Sequence, residues 1–415
     1  MSLPRRDAAL IFASFAFAYF FSALARAVTA TLAPTFSAEL GLSAADLGLL
    51  AGAYFFGFAA MQLPPGGALD RFGPRRVLSV LLAMAVLGSA AFALAGGFGS
   101  MIAARTLIGI GVSACLMAPM TAYRRLLSPQ AQMRASSWML MTGSFGMLAS
   151  TLPVQWLLPR IGWRGLFWAL AAGLAASIAL IGWLVPPDRR PQPDGAAEAA
   201  ASSGGYTSVF RHPTFVRFAP MGFFHYGGRV ALQTLWAGPW LTQVCGWTPQ
   251  QAARGLFGIN LAMLLAFLGW GVVVPRLYSR GATAQSLVRA GVPTSLAALA
   301  TAVALGPAAT AGVWALFCVA STFIALSQPA IGQPFPVALA GRALSAYNLV
   351  IFAGVFVVQW GIGLLIDALR ARGFGTVSAY RGAFALFAAS CLLSYLWFVW
   401  RNDSIPRATV APGGA

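Results

Sequence analysis

The chain contains no lysine and few acidic residues. Its 27 basic residues are all arginine, only nine residues are acidic, and charged residues make up 9% of the 415. Soluble globular domains carry about 25% charged residues, so this composition excludes an ordinary soluble domain. Hydrophobic residues make up 59% of the chain, and the mean hydropathy is +0.76. The sequence therefore predicts an integral membrane protein that crosses the bilayer several times.

Cysteine and histidine are also scarce, which leaves few groups for disulfides or metal sites. The four cysteines lie in or at the ends of apolar runs without paired spacing, and we interpret them as small apolar residues. His212 and His225 have no cysteine or carboxylate near them in the sequence, so no metal site is predicted. No catalytic constellation is present, and we expect neither a cofactor nor an enzyme.

The formal net charge of +18 would be consistent with a protein that binds nucleic acid. The arginines, however, separate apolar runs and form no basic stripe, so the predicted partner is the lipid bilayer and not nucleic acid. Basic residues of membrane proteins concentrate in cytoplasmic loops. Most of the arginines fall in segments on the same side as the amino terminus. This distribution predicts a multi-pass protein of the cell inner membrane with both termini in the cytoplasm.

Apolar runs between turn signals predict twelve transmembrane helices. The runs lie near residues 8–33, 47–69, 76–97, 100–123, 136–158, 164–186, 215–244, 252–275, 284–305, 311–332, 343–367 and 381–400. The first run follows Arg5 and Arg6 as a signal peptide would, but it continues to Ala33, and we expect it to remain uncleaved. A Pro-, Gly- and Ala-rich stretch follows the sixth run. The predicted segments are an amino-terminal six-helix bundle (1–186), a cytoplasmic linker (187–213), a carboxy-terminal six-helix bundle (214–402) and a cytoplasmic tail (403–415).

The two predicted bundles resemble each other at a nearly constant offset. Val154–Trp156 recurs as Val358–Trp360, and Arg26 of the first helix corresponds to Arg229 of the seventh. Six helices repeated in the same orientation predict two bundles related by an axis along the membrane normal. A substrate site would then lie between them, near the middle of the membrane.

The loop between the second and third predicted helices carries the most specific motif. It contains glycine, aspartate and arginine in a fixed order: Gly66, Asp70, Arg71, Gly73, Arg75 and Arg76. A carboxylate among arginines at a helix end can pair across helices and hold one cytoplasmic arrangement closed. The simpler interpretation, that these arginines only mark the cytoplasmic side, does not explain the ordered spacing.

This loop resembles the signature G-x-x-x-D-R-x-G-x-R-R of the major facilitator superfamily, and every specified position matches. Arg105-x-x-x-Gly109-x-Gly111 is similar to the fourth-helix signature of the same family. The resemblance covers essentially the whole chain. It implies an all-α membrane fold of two six-helix bundles with a parallel pseudo-two-fold repeat, and an alternating-access secondary transporter. We expect a monomer.

Two arginines fall inside predicted membrane helices. An arginine near the bilayer centre costs roughly 2.5–3.5 kcal/mol even on the insertion scale, so each suggests a functional role. Regular helical spacing places polar and aromatic residues on the same face as each arginine. On the first helix these are Tyr19, Ser22, Arg26 and Thr29; on the seventh they are His225, Arg229, Gln233, Trp236 and Trp240.

The nine acids all lie in loops, the linker, the tails or helix ends, away from both arginines. A guanidinium without a counter-ion can bind a carboxylate or phosphate through two hydrogen bonds. We therefore predict a small anionic solute as substrate. The alternative is that the arginines bind backbone carbonyls and serve helix packing.

The paired arginines resemble those of the anion:cation symporters and the organophosphate:phosphate antiporters. That resemblance implies organic anion transport by symport or antiport. Because no acid occupies the predicted cavity, exchange or uniport is favoured, with proton coupling through His225 as the alternative. Efflux of drugs or metabolites is a second hypothesis, although Gly143-Ser144-Phe145-Gly146 on the fifth helix lacks the proline typical of exporters. A non-transporting membrane sensor has no soluble domain in the sequence to support it.

Overall fold

The computed structural model describes residues 5–187 and 205–401, and regular structure in these ranges is helical. Linker residues 188–204 and tail residues 402–415 lie outside the described residues. The helices of the first range are α1 (Arg5–Leu40), α2 (Ala44–Ala60), α3 (Pro64–Phe72), α4 (Pro74–Ala93), α5 (Phe98–Val112), α6 (Met117–Leu126), α7 (Pro129–Ala149) and α8 (Leu152–Leu184). Those of the second range are α9 (Tyr206–Arg211), α10 (Pro213–Met221), α11 (Gly227–Ala231), α12 (Ala237–Pro239), α13 (Pro249–Ser279), α14 (Ala284–Leu305), α15 (Ala311–Ala320), α16 (Ser327–Gly332), α17 (Val337–Ala371) and α18 (Thr376–Trp400).

Proline and glycine explain where two predicted helices are interrupted. The second predicted run (47–69) is divided into α2 and α3, because Pro64 begins a new helix where it has no amide to donate. The predicted boundary between the fifth and sixth helices lies within α8, at a kink where Gly162 has φ 64°. Glycine adopts this left-handed conformation without the steric penalty of a side chain.

The helix that carries Arg229 is irregular. Three π-helical segments, Gly222–Tyr226, Leu232–Trp236 and Trp240–Val244, alternate with α10, α11 and α12. A π-helical turn contains an extra residue, so side chains beyond it are rotated relative to their positions in a regular α-helix. The three-and-four spacing assumed from the sequence therefore does not hold along this helix.

Nine helices in the described ranges are long and apolar enough to cross a membrane. They are Arg6–Leu40, Pro74–Ala93, Phe98–Leu126, Leu152–Leu184, Pro249–Ser279, Ala284–Ala308, Ala311–Gly332, Leu339–Ala371 and Thr376–Trp400. α2 is apolar but shorter, with 17 residues. This finding confirms a multi-pass, all-helical membrane protein.

Helices distant in sequence approach each other closely at glycines. A Cβ on Gly48 of α2 would overlap the carbonyl oxygen of Gln359 in α17, and a Cβ on Gly363 would overlap that of Ala44. α2 and α17 consequently pack along their lengths, and we call this packing the α2–α17 contact. α1 similarly packs against the helix of Arg229, where a Cβ on Gly238 would overlap the carbonyl of Ala30.

Candidate functional site

Arg26 lies in α1 beside the α2–α17 contact. Its side chain is partly exposed, and its guanidinium carbon lies 5.3 Å from the ring centroid of Phe58 in α2 and 5.9 Å from that of Phe352 in α17. The two rings contact each other at 4.5 Å. Nε of Arg26 is buried without a hydrogen-bond partner. The rings offer a weak cation–π attraction but no hydrogen-bond acceptor comparable to a carboxylate.

Tyrosines surround the same guanidinium. Tyr54 and Tyr19 are the side chains with the largest electrostatic influence on Arg26, and Tyr54 is also close enough to hydrogen-bond with its side chain. Tyr54 is fully buried and donates a hydrogen bond to the backbone oxygen of Ser22 at 3.4 Å. Tyr19 packs against Gly143, where a Cβ would approach its ring within 2.6 Å. Ser22, predicted to bind substrate, is fully buried, with its hydroxyl unpaired.

Arg229 begins a chain of hydrogen bonds whose other members are uncharged amide side chains. Its Nη1 donates to Oε1 of Gln233 at 3.0 Å, and Nε2 of Gln233 donates to Oδ1 of Asn260 at 2.9 Å. The Arg229 guanidinium also lies 5.0 Å from the ring of Tyr226, while its Nε is buried without a partner. Asn260 was not predicted as a site residue, although an amide within an apolar helix was a signal for it.

The surroundings of the two arginines meet through their tyrosines. Tyr19, beside Arg26, and Tyr226, beside Arg229, lie close enough to interact electrostatically. Phe352 reaches Arg26 from α17. The sequence predicted a substrate site between the two bundles; in the structure, α1, which carries Arg26, packs against residues 232–239 of the helix that carries Arg229.

His225 and Trp236 each form a hydrogen bond with a residue of another helix. His225 is fully buried, and its Nε2 pairs with Oγ of Ser295 in α14 at 2.8 Å, while its Nδ1 has no partner. Trp236 is fully buried and donates from Nε1 to the backbone oxygen of Gln359 at 3.1 Å. His225 is nevertheless close enough to Arg229 to interact with it electrostatically, and the shared face of these residues stays a prediction.

Four acidic residues have described side chains, and each is at a helix end. Asp7 lies exposed in the first turn of α1, and Glu39 accepts a hydrogen bond from Trp163. Asp46 caps α2, and Asp367 accepts hydrogen bonds from the backbone of α2. None of these four carboxylates contacts Arg26 or Arg229. Within the described part of the chain, both guanidinium groups therefore have only neutral neighbours.

The loop motif joins α3 to α4. Gly73 forms the turn with φ 83°, which favours glycine. Arg75 donates to the backbone oxygens of Gly182 and Val185, the latter at 2.8 Å, so its charge lies at the carboxy-terminal end of α8. Arg71 and Arg76 are exposed. The surroundings of Gly66 and the side chain of Asp70 lie outside the described residues.

Arg105 lies within α5 and is buried among the neighbouring helices. It is 1% exposed, and it donates from Nη1 to the Ala25 backbone oxygen at 3.0 Å and from Nη2 to Oγ1 of Thr29 at 2.6 Å. Its guanidinium lies 5.3 Å from the ring of Tyr54. Arg105 therefore joins α5 to α1, which is a helix-packing role.

Two curated relatives are similar to parts of the chain. The probable sulfoacetate transporter SauU of Cupriavidus necator is 26% identical over 288 residues, which cover 63% of this chain and 64% of the relative. The 3-(3-hydroxy-phenyl)propionate transporter of Escherichia coli is 28% identical over 264 residues, covering 62% and 60%. The chain thus matches less than two thirds of the length of either relative.

The fold also matches a solved structure. A bacterial homolog of the human lysosomal transporter Spinster, in an inward-facing and unoccupied conformation, superposes with a TM-score of 0.78 at 17% identity and covers 97% of this chain and 98% of its own. Residues 15–359 match the Major Facilitator Superfamily. That match spans most of the sequence and agrees with the loop motif, the apolar helices and the shared fold. The chain therefore belongs to the Major Facilitator Superfamily.

Proposed function

We propose that the protein is a secondary transporter that moves a small organic anion by alternating access, with Arg26 and Arg229 as its principal anion-binding groups. The observation that carries this proposal is that Arg26 and Arg229 each have a buried Nε without a hydrogen-bond partner, and that the neighbours described for each are uncharged side chains. Removing a charge from water costs several kcal/mol unless an opposite charge compensates it. A bound anion would supply that compensation.

Geometry and relatives both favour a carboxylate or a similar oxyanion. The planar guanidinium of arginine can donate two parallel hydrogen bonds to such a group. Sulfoacetate and 3-(3-hydroxyphenyl)propionate, named in the two relatives, are both small organic anions. Substrate-binding roles for Tyr19 and Gln233 are part of this proposal, because both lie beside an arginine. His225 and Trp236 bond to Ser295 and to the backbone of Gln359, and Ser22 is fully buried, so packing roles are proposed for these three residues instead.

The proposed architecture has twelve transmembrane helices in two six-helix bundles, residues 1–186 and 214–402, joined by a cytoplasmic linker. Both termini are proposed to lie in the cytoplasm. The protein is proposed to be a monomer in the cell inner membrane. In this arrangement, the α2–α17 contact closes the site at the end opposite the loop motif. The substrate would then enter or leave at the cytoplasmic end, and the α2–α17 contact would separate in the outward-open state.

A thermal-shift assay of the purified protein tests the anion site, since a ligand that binds only the folded form stabilises it. We expect organic anions to raise the melting temperature and neutral drugs to have no effect. Arg26→Lys and Arg229→Lys should each weaken anion binding at least about tenfold, because lysine keeps the charge but loses the paired hydrogen bonds. Arg254→Lys, at an exposed position, is the matched control.

The opposite results would overturn the proposal. Normal anion binding and transport by both lysine variants would make the two arginines structural. Stabilisation by neutral drugs and not by anions would favour the efflux function instead.

A further inference from the structure

We propose that the anion is an aromatic carboxylate: a single carboxyl group joined to a ring through a short linker. The inference rests on the proposed function and narrows its substrate class. The structural feature behind it is a group of aromatic side chains beside Arg26 and Arg229, which we call the ring cluster. Its members are Tyr19, Phe58, Tyr226 and Phe352.

The ring cluster is assembled from four separate helical regions. Tyr19 comes from α1, Phe58 from α2, Tyr226 from the π-helical segment before α11, and Phe352 from α17. Phe58 and Phe352 meet in an edge-on arrangement at 4.5 Å, and both lie within 6 Å of the Arg26 guanidinium. Tyr226 and Phe352 are partly exposed, and Tyr19 is 8% exposed. Phe58 is 7% exposed. The cluster therefore combines two buried rings, Tyr19 and Phe58, with two accessible rings, Phe352 and Tyr226.

An aromatic carboxylate would use both parts of this arrangement. Its carboxylate would form two charge-assisted hydrogen bonds with Arg26, which exceed the cation–π attraction that the guanidinium has now. Its ring would stand among neighbouring rings at the 4.5–7 Å centroid spacing typical of aromatic pairs, which adds roughly 0.5–1.5 kcal/mol for each pair. The short chain between the carboxylate and the ring of the ligand sets the distance between Arg26 and the ring cluster.

A polyhydroxylated anion, such as a sugar acid, fits the same space poorly. Each of its hydroxyl groups would need a partner to replace water, and an unpaired hydroxyl is costly in a dry site. The amide of Gln233 is already engaged on both sides, because its oxygen accepts from Arg229 and its nitrogen donates to Asn260. Phe58 and Phe352 offer no hydrogen-bonding atom at all. The site is therefore suited to one charge and an apolar ring.

The experiment compares three probes of similar size on the purified full-length chain: 3-phenylpropanoate, 3-cyclohexylpropanoate and gluconate. Dissociation constants come from thermal shift or calorimetry. We expect 3-phenylpropanoate to bind at least about tenfold more tightly than gluconate and several-fold more tightly than the cyclohexyl analogue. Tighter binding of the cyclohexyl analogue would show that an apolar volume, not a ring, is recognised, and would overturn the aromatic class.

Variants test whether the preference for an aromatic carboxylate depends on the ring cluster. Phe352→Leu should weaken 3-phenylpropanoate several-fold and leave gluconate unchanged, whereas Phe352→Tyr should retain affinity because it keeps the ring. Phe56→Leu is the matched control, since Phe56 lies on α2 near Phe58 but is 54% exposed. Equal losses in Phe352→Leu and Phe56→Leu would contradict the inference.

Failure of this inference can be distinguished from failure of the proposed function. Gluconate binding as tightly as 3-phenylpropanoate, with both affinities reduced by Arg26→Lys, would overturn the aromatic class and leave the anion transporter intact. No binding of any of the three anions would overturn both.

Discussion

The carboxylate of Asp367 accepts a hydrogen bond from the backbone amide of Ala45, 322 residues earlier in the chain, at 2.8 Å. Its other oxygen accepts from the amide of Ala44 at 3.3 Å. Both amides belong to the first turn of α2, where backbone N–H groups have no partner within the helix and the helix dipole favours a negative charge. Asp367 therefore caps a helix of the other proposed bundle and fastens one end of the α2–α17 contact.

Asp367→Asn should weaken this end of the contact. The amide side chain keeps an acceptor but loses the charge, which is worth about 1 kcal/mol at a helix amino terminus and shifts a two-state population about fivefold. Distances between spin labels on Leu40→Cys and Arg372→Cys, in a Cys245→Ser background, report how far α2 and α17 separate at this end. We expect a longer-distance population in Asp367→Asn.

Asp46→Asn is the matched control for Asp367→Asn. Asp46 caps the same turn of α2 through its capping box with Ser43, but both residues belong to the same proposed bundle. Its loss should destabilise α2 without separating the labels. If both variants changed the label distance equally, the effect would come from the stability of α2 and not from the link to Asp367.

Two glycines on α17 give a second prediction about the same contact. A Cβ on Gly363 would overlap the backbone oxygen of Ala44, whereas a Cβ on Gly361 has no atom within 4 Å. Alanine in a helix is otherwise more favourable than glycine by about 1 kcal/mol. Gly361→Ala should therefore keep or raise the melting temperature, and Gly363→Ala should lower it and lengthen the label distance. Equal melting temperatures for the two variants would show that α17 does not need this close approach.

Much of the fold could be predicted from composition, motif and apolar runs. The family and its membrane class are confirmed, and with them the prediction that the chain is not an enzyme. The contact between Asp367 and Ala45 could not be predicted, because no local spacing connects residues so distant in sequence. His225 and Trp236 were grouped with Arg229 on the assumption of a regular helix. The π-helical segments arise from tertiary packing, and residue preferences do not reveal them.

Arg105 gives a third prediction, because it contrasts with Arg26. Nε is buried without a partner in both residues, but Arg105 donates two hydrogen bonds from its Nη atoms to α1, whereas the guanidinium of Arg26 lies against the rings of Phe58 and Phe352. Arg105→Lys cannot keep both bonds in the same geometry, at a cost of about 1–3 kcal/mol. Its melting temperature should fall by at least about 2 °C, while Arg26→Lys should melt close to the unsubstituted protein. A stable Arg105→Lys that loses anion binding would instead make Arg105 part of the substrate site.

Asp70 gives a fourth prediction, which concerns the opposite end of the molecule. The loop motif predicts that Asp70 holds the cytoplasmic end closed in the outward-open state and does not bind substrate. Asp70→Asn should therefore slow transport, favour the form with this end open and leave the dissociation constant nearly unchanged. Spin labels on the exposed positions Arg134→Cys and Arg280→Cys report the opening. Loss of anion binding without a change in label distance would contradict this role.

His225 gives the last prediction, which concerns energy coupling. The ring is fully buried and bonded to Ser295, away from the ring cluster, and the four described carboxylates all lie at helix ends. With none of these four carboxylates beside either arginine, an empty site would carry two uncompensated charges through the membrane interior as it reoriented, which is costly. Exchange lowers this cost, because an anion compensates one of the two charges in both directions.

We therefore expect uptake of 3-phenylpropanoate into proteoliposomes to require an internal anion and to be unaffected by an imposed pH gradient. His225→Gln should retain exchange, since an amide can replace the bond to Ser295, and Ser295→Ala, which leaves the histidine in place, is its control. Accumulation driven by a pH gradient without internal anion, and lost in His225→Gln but not in Ser295→Ala, would show proton coupling through His225. In that case a proton taken up together with the anion, and not the exit of a counter-anion, would drive uptake.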